Sequence, residues 1–99
     1  MIRWEDGRLR VSGRLTMGTA AALVDMGILP AGETRLVVDL AQVKAVDSAA
    51  VSLLLVWLRA SLRNGVNLCF ANVPENLLTL ARLYGVAELL PLCGEDMRV

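Results

Sequence analysis

The pattern of apolar and polar residues divides the chain into short strand-like segments and longer helical ones. Residues 2–5 and 9–12 flank the pair Asp6-Gly7, which suits the positive backbone dihedrals of a tight turn. This stretch therefore predicts a β-hairpin. A helix is predicted over residues 17–26, because Thr16 stands at an N-cap position ahead of several alanines.

The rest of the chain predicts strands and helices in alternation. A continuous apolar run is typical of a strand covered on both faces, and glycines mark the ends of the helices. The predicted segments are a strand over 35–40, a helix over 49–64, a strand over 66–71, a helix from Pro74 to Gly85 and a short edge strand over 88–92.

The predicted order of elements is β-β-α-β-α-β-α-β, which indicates an α/β fold with crossover connections. Ninety-nine residues suffice for one such domain with a single core. Residues 94–99 carry no pattern and are expected to form a flexible tail.

The helix over 49–64 carries apolar residues on two sides. One side suits a stripe that faces the sheet, and it consists of Val51, Leu54, Leu55, Leu58 and Leu62. The opposite side carries Leu53 and Val56, with Trp57 on its flank. The polar stripe beside it consists of Ser48, Ser52, Arg59 and Arg63.

We expect Leu53, Val56 and Trp57 to be exposed and to bind a partner. Contiguous exposed apolar surface rimmed by polar groups marks an interface, and Trp is a frequent hot-spot residue. The alternative is that another segment of the same chain covers these side chains.

Asp47 and Ser48 stand where this helix begins. Ser48 fits the N-cap, where its hydroxyl accepts a hydrogen bond from a free backbone N–H, and Asp47 fits a position favoured by the helix dipole. A hydroxyl at a helix N-terminus also suits a phosphate or a partner contact, because N–H dipoles converge there.

Composition and charge exclude several classes of function. The chain is 56% hydrophobic, but its longest apolar stretch is far shorter than the roughly 20 residues of a membrane span. Its N-terminus lacks the apolar segment of a signal peptide, so we expect a cytoplasmic protein without direct membrane insertion. Ten basic and ten acidic residues without a basic stripe give no reason to expect nucleic-acid binding.

The residue types do not predict an enzyme. The sequence has no histidine, no glycine-rich phosphate loop and no cysteine or acidic cluster with metal-ligand spacing. Asp39 and Asp47 are the one carboxylate pair considered for catalysis, and Asp47 is explained more simply as a helix-start residue. No catalytic residue, metal or cofactor is predicted.

Cys69 and Cys93 are expected to be reduced. Cys69 lies in a predicted strand, where a thiol behaves as a small hydrophobic residue. Two cysteines in a chain without an export signal are more often free than paired. The alternative is a disulfide between them.

Several short motifs, in this order, resemble those of the STAS domain, known from anti-sigma factor antagonists and anion-transporter tails. They are Ser12-Gly13-Arg14-Leu15-Thr16, Thr19-Ala20, Val46-Asp47-Ser48 and Leu80-Ala81-Arg82-Leu83-Tyr84-Gly85-Val86. The set is most similar to the small MlaB-like, or toluene-tolerance, STAS subunit of bacterial phospholipid ABC transporters. The resemblance covers residues 2–92 and implies a STAS-like mixed β-sheet with helices packed on it.

The resemblance to the transporter branch implies a non-catalytic accessory subunit. Such a subunit binds the cytoplasmic ATPase subunit of a complex that maintains outer-membrane lipid asymmetry or solvent tolerance. In that branch a Thr or Ser follows the Asp and lies at the ATPase contact, a role that Ser48 fits. The expected partner surface consists of Asp47, Ser48, Ser52, Leu53, Val56, Trp57 and Arg59, and its apolar helix face would also serve a homodimer.

The antagonist branch implies a different function, an anti-sigma factor antagonist regulated by serine phosphorylation. There the helix begins Asp-Ser-Ser/Thr-Gly, and the second hydroxyl accepts the phosphate. Asp47 and Ser48 match this pattern, whereas Ala49 and Ala50 depart from it, which favours the transporter function. Ser48 stays a candidate phosphoacceptor. Binding of a nucleotide or small apolar ligand is a third hypothesis, with family-level support alone.

Overall fold

The computed structural model describes residues 2–5, 8–16 and 34–93. Within these ranges the elements are β1 Ile2–Glu5, β2 Arg8–Leu15, β3 Arg35–Val46, α1 Ser48–Arg63, β4 Asn67–Ala71, α2 Glu75–Leu83 and a 3-10 turn Ala87–Leu89. The predicted helix over 17–26, the turn at Asp6-Gly7 and the predicted tail over 94–99 lie outside the described residues.

The four strands form one mixed sheet in the order β1-β2-β3-β4. β1 pairs antiparallel with β2, placing Ile2 opposite Val11. β3 runs parallel to both β2 and β4, as crossover connections require. The mixed α/β class and the two strands of the N-terminal hairpin are confirmed.

The core lies between one face of this sheet and the two helices. Alternate strand residues point into it, as the two-residue period of a strand dictates: Leu9, Val11, Leu15, Leu36, Val38, Leu40, Leu68 and Phe70. The helices contribute Ala50, Val51, Leu53, Leu54, Trp57, Leu77 and Ala81. Each fully buried aliphatic side chain in this cluster stabilises the fold by about 1.5–3 kcal/mol.

The prediction that α1 exposes an apolar face is wrong. Trp57 is 2% exposed and Leu53 is 1% exposed, and both belong to the core cluster. Leu62, which was expected to face the sheet, is instead 71% exposed. Neither a partner nor a second copy of the chain can therefore bind Leu53 or Trp57 in the folded protein, and the homodimer through this face loses its basis.

The error has a simple origin in helix geometry. The buried residues of α1 lie on one helical face, and they are Ala50, Val51, Leu53, Leu54, Trp57 and Ser61. Small residues, Ala50 and Ser61, begin and end that face, while Trp57 fills its middle. The predicted stripe is therefore right at Val51 and Leu54, which are buried, but it wrongly includes Leu62 and leaves out Leu53 and Trp57.

The segment over 88–92 does not form the predicted edge strand. Its beginning belongs to the 3-10 turn, and only Leu92 pairs with the sheet, in an isolated parallel bridge to Phe70. The Phe70 amide donates to the Pro91 carbonyl at 2.8 Å, and the Cys93 amide donates to the Phe70 carbonyl at 2.9 Å. Pro91 has no N–H of its own, which limits the ladder to this short contact.

Candidate functional site

The N-terminus of α1 is capped by Asp47. The Asp47 carboxylate accepts a hydrogen bond from the Ala49 amide at 2.8 Å, while Ser48 is the first helical residue and is exposed. The Asp47 amide itself donates to the Leu15 carbonyl, which ties the cap to the end of β2. The prediction that Ser48 caps this helix is wrong, because a carboxylate one residue earlier satisfies the free amide and also suits the helix dipole.

Ser48 and Ser52 line a shallow groove with a volume of about 300 Å³. Its α1 wall consists of residues one helical turn apart, and its other wall follows the end of α2. The lining residues are Ser48, Val51, Ser52, Leu55, Tyr84 and Val86. We call this feature the α1–Tyr84 groove. Its floor is apolar and its α1 rim carries two hydroxyl groups.

The second wall is held by the way in which α2 ends. The Gly85 amide donates to the Arg82 carbonyl at 3.0 Å, and the Val86 amide donates to the Ala81 carbonyl at 2.9 Å. Gly85 has a φ of 73°, so these bonds form a Schellman motif, in which a glycine with positive φ reverses the chain. The motif places Tyr84 and Val86, on either side of Gly85, against α1.

The groove is bordered by exposed apolar surface. Tyr84 is 54% exposed, and Leu83, its neighbour in the chain, is 75% exposed. An exposed aromatic ring beside an apolar depression is typical of a protein-binding surface, because its burial by a partner removes a large apolar area from water.

Cys69 and Cys93 form a disulfide, so the expectation of two reduced thiols is wrong. Their Cα atoms lie 5.0 Å apart although 24 positions separate them in sequence. The bridge between Phe70 and Leu92 causes this proximity, because it lays the C-terminal segment directly along β4. Sequence reasoning could not see this contact, since it depends on long-range pairing.

A family model for the MlaB STAS domain matches residues 2–91 of this chain. The chain belongs to the STAS domain family, in its MlaB type.

Among solved structures, this STAS domain is similar to the anti-sigma factor antagonist SpoIIAA in its unphosphorylated form. The TM-score is 0.65 at 13% sequence identity, over 99% of this chain and 90% of that chain. An identity this low shows a shared fold alone. No curated protein matches the chain. Family membership supports a regulatory or accessory role exercised through protein–protein contacts.

The STAS domain brings together only part of the predicted partner surface. Ser48 and Ser52 lie side by side in the α1–Tyr84 groove, and Arg59 is exposed farther along α1. Val56 is half-buried and does not line the groove. The two remaining hydrophobic candidates, Leu53 and Trp57, belong to the core.

Sequence reasoning missed four groove residues: Val51, Leu55, Tyr84 and Val86. The first two were assigned to the stripe facing the sheet. Tyr84 had a usable signal, because it stands directly before the glycine that ends α2. It also lies within the motif over 80–86 that resembles the family.

Asp39 does not take part in the groove. Alternation along β3 places its carboxylate on the sheet face away from the core, where it is 3% exposed and bonded to Arg8 at 3.1 Å and Arg10 at 3.0 Å. It also accepts hydrogen bonds from the Ala41 amide and the Asn72 side chain. The Ala41 bond spans an irregularity in the β2–β3 register, so Asp39 has a structural role there.

These contacts determine the pKa of Asp39. Burial alone would raise the pKa, but the hydrogen bonds from Ala41, Asn72 and Arg8 and the charge of Arg10 outweigh it. The pKa of Asp39 is therefore lowered from its ordinary value of 3.8. A carboxylate held in its charged form by four partners is unsuited to act as a general base.

No helix in the described part of the chain is long and apolar enough to cross a membrane. Within the same residues, no three Cys, Asp or Glu side chains lie close enough to hold a metal ion.

Proposed function

We propose that this STAS domain is a non-catalytic accessory subunit that binds the ATPase subunit of a bacterial ABC transporter for phospholipids. The α1–Tyr84 groove is the docking site in this proposal. One observation supports it above all. In a domain of the MlaB type, the exposed Ser48 and Ser52 and the exposed Tyr84 line the same groove.

The chemistry of the groove supports a protein partner. Its volume of about 300 Å³ lies at the lower limit for small-molecule sites, and an apolar floor with a polar rim suits a partner side chain of mixed character. Tyr84 belongs to the residue types that carry most binding energy in interfaces. Ser48 and Ser52 can add hydrogen bonds that fix the orientation of the partner.

The start of α1 supports the transporter function over a phosphorylation switch. Where the antagonist pattern has a second hydroxyl, this domain has Ala49, which is half-buried against the core. Ala50 is fully buried. Ala49 has no hydroxyl to accept a phosphate at that position, and the proposal therefore assigns Ser48 the role of a contact residue.

The proposal also gives the domain a place in the cell. Bound to the ATPase subunit, it sits at the cytoplasmic face of the inner membrane, and it supports assembly and ATPase activity of a complex that maintains lipid asymmetry or solvent tolerance. Its own chain needs no membrane segment for this role.

Co-purification with the ATPase subunit of a phospholipid ABC transporter from the same organism tests the proposal. Ser52→Arg places a long charged side chain in the groove, and it is expected to abolish the complex and its stimulation of ATP hydrolysis. Leu62→Arg is the matched control, because Leu62 is exposed on the same helix but does not line the groove.

Wild-type protein that fails to bind the ATPase, or a Ser52→Arg variant that binds as well as wild type, would contradict the proposal. Incubation with an anti-sigma kinase and ATP separates the alternative. Incorporation of phosphate at Ser48 would establish the antagonist function in its place.

A further inference from the structure

We infer that Cys69 and Cys93 are a redox-active pair, whose disulfide exchanges with low-molecular-weight thiols and controls the order of the second wall of the α1–Tyr84 groove. The exchange and its effect on the wall follow from the fold alone. Only the consequence for a partner rests on the function proposed above.

The pair lies where small thiols can reach it. Leu68 and Phe70 point into the core, so alternation along β4 directs Cys69 to the opposite face of the sheet. Both cysteines are half-buried rather than enclosed. Thiol–disulfide exchange requires an approach to one of the two sulfur atoms, and this surface position allows it.

The disulfide closes a loop that contains the entire second wall of the groove. The 24-residue separation between the cysteines includes α2, the Schellman motif at Gly85, and both Tyr84 and Val86. The first wall, on α1, lies outside the loop. Closing the loop therefore restricts one wall of the groove and leaves the other unaffected.

The reaction conserves atoms and electrons. A thiolate of a small thiol such as glutathione attacks one protein sulfur, forming a mixed disulfide and releasing the other sulfur as a thiolate that takes up a proton. A second small thiol then displaces the remaining protein sulfur. In sum, two small thiols are oxidised to one small disulfide while the protein disulfide is reduced to two thiols.

The reduced protein keeps its fold but loosens the loop. Two backbone hydrogen bonds between Phe70 and the segment over 91–93 still hold the C-terminal segment, and Leu90 stays buried in the core. These contacts open more often without the covalent link, because the loop regains chain entropy. The end of α2 then loses its fixed position against α1.

The cytoplasmic location that belongs to the proposed function would expose the pair to a reducing thiol pool. Disulfides that form there are usually transient, because the thiol pool reduces them. The oxidised domain presents a rigid groove and is expected to bind the ATPase more tightly than the reduced domain, since less order must be gained on binding.

The experiment uses the isolated full chain in buffers of fixed ratios of reduced to oxidised glutathione. Free thiols are trapped by alkylation and counted by intact mass. Amide hydrogen exchange is then measured on the fully oxidised and the fully reduced protein. The Val86 amide, bonded to Ala81 inside the loop, is expected to exchange at least about tenfold faster after reduction.

The chain offers a matched internal control. The Val66 amide donates to the Ser61 carbonyl at 2.9 Å in an equivalent motif at the end of α1, outside the loop. Its exchange is expected to stay constant. A Cys69→Ser/Cys93→Ser double variant should exchange like the reduced protein in every buffer.

The outcomes separate the two proposals. A pair that stays reduced in oxidised glutathione, or equal Val86 exchange in both states, overturns this inference. Equal acceleration at Val66 and Val86 also overturns it, because the effect would then be global. Faster exchange at Val86 alone supports this inference, even if the ATPase subunit does not bind. A lack of ATPase binding would contradict the proposed function and leave this inference standing.

Discussion

The Asp47 carboxylate accepts a hydrogen bond from the Ala49 amide at 2.8 Å, and this contact relieves Ser48 of any capping role. Asp47→Ala removes the side-chain N-cap of α1 and is expected to lower the free energy of unfolding by about 0.5–2 kcal/mol. Ser48→Ala should change it by less than about 0.5 kcal/mol. Urea unfolding of both variants measures the difference. A larger loss of unfolding free energy for Ser48→Ala would show that Ser48, and not Asp47, caps the helix.

Trp57 is held in the core by packing. Its indole N–H makes no hydrogen bond within the described residues, so the ring contributes through the apolar area that it buries. Trp57→Ala is expected to cost about 3–5 kcal/mol of the free energy of unfolding, measured by urea denaturation.

A charge at this position should have a larger effect. Trp57→Asp is expected to unfold the isolated domain, as circular dichroism would report, because an unpaired carboxylate cannot be buried at that site. Leu62→Asp, on the exposed side of α1, is the control and should fold. A folded Trp57→Asp protein would place the ring at the surface after all.

The buried carboxylate of Asp39 makes stability depend on acidity. Its pKa is lower in the folded protein than in the unfolded chain, so its contribution is fully present well above the ordinary value of 3.8. That contribution is lost as the pH falls below 3.8 through the lowered pKa of the folded state. The free energy of unfolding, measured by urea titration from pH 6 down to about pH 3, should fall steeply at the acid end.

Asp39→Asn is the control for this prediction. The amide keeps the approximate shape but removes the charge that pairs with Arg8 and Arg10. The variant should be less stable than wild type at pH 6, and the difference between the two should shrink towards pH 3. A constant difference over this range would assign the acid sensitivity to other carboxylates.

Tyr84 allows binding to be separated from folding. Because the side chain is more than half exposed, Tyr84→Ala should change the free energy of unfolding by less than about 1 kcal/mol. If the α1–Tyr84 groove is the docking site, the same variant should weaken binding of the ATPase subunit by about 2 kcal/mol or more. Calorimetric titration measures the affinity, and Leu92→Ala, exposed but outside the groove, is the matched control.

The ends of α1 and α2 show how far the local sequence pattern predicts structure. Gly65 and Gly85 were recognised as helix ends, and both adopt the positive φ that a Schellman motif requires, with Val66 and Val86 completing the bonds. These motifs depend on residues within one helical turn. Local reasoning therefore located them, and it placed Pro74 only one residue from its observed position as the N-cap of α2.

The candidate site was predicted less completely, because it joins two elements. Ser48 and Ser52 were found from their spacing on one helix. Tyr84 was not assigned to the site, since nothing in the sequence states that the end of α2 packs beside the start of α1. The sequence also could not show which of the two apolar sides of α1 is buried, because that depends on where the sheet lies relative to the helix.

The sequence by itself determined the strands β1 to β4, the helices α1 and α2 and the family motif at Asp47-Ser48, because turns, caps and strand alternation are set by neighbouring residues. Tertiary structure alone decided that Trp57 lies in the core, that Tyr84 and Ser52 line one groove, and that Cys69 is bonded to Cys93. Each of these depends on contacts between segments far apart in the chain, where packing selects one of several arrangements that the local pattern allows equally well.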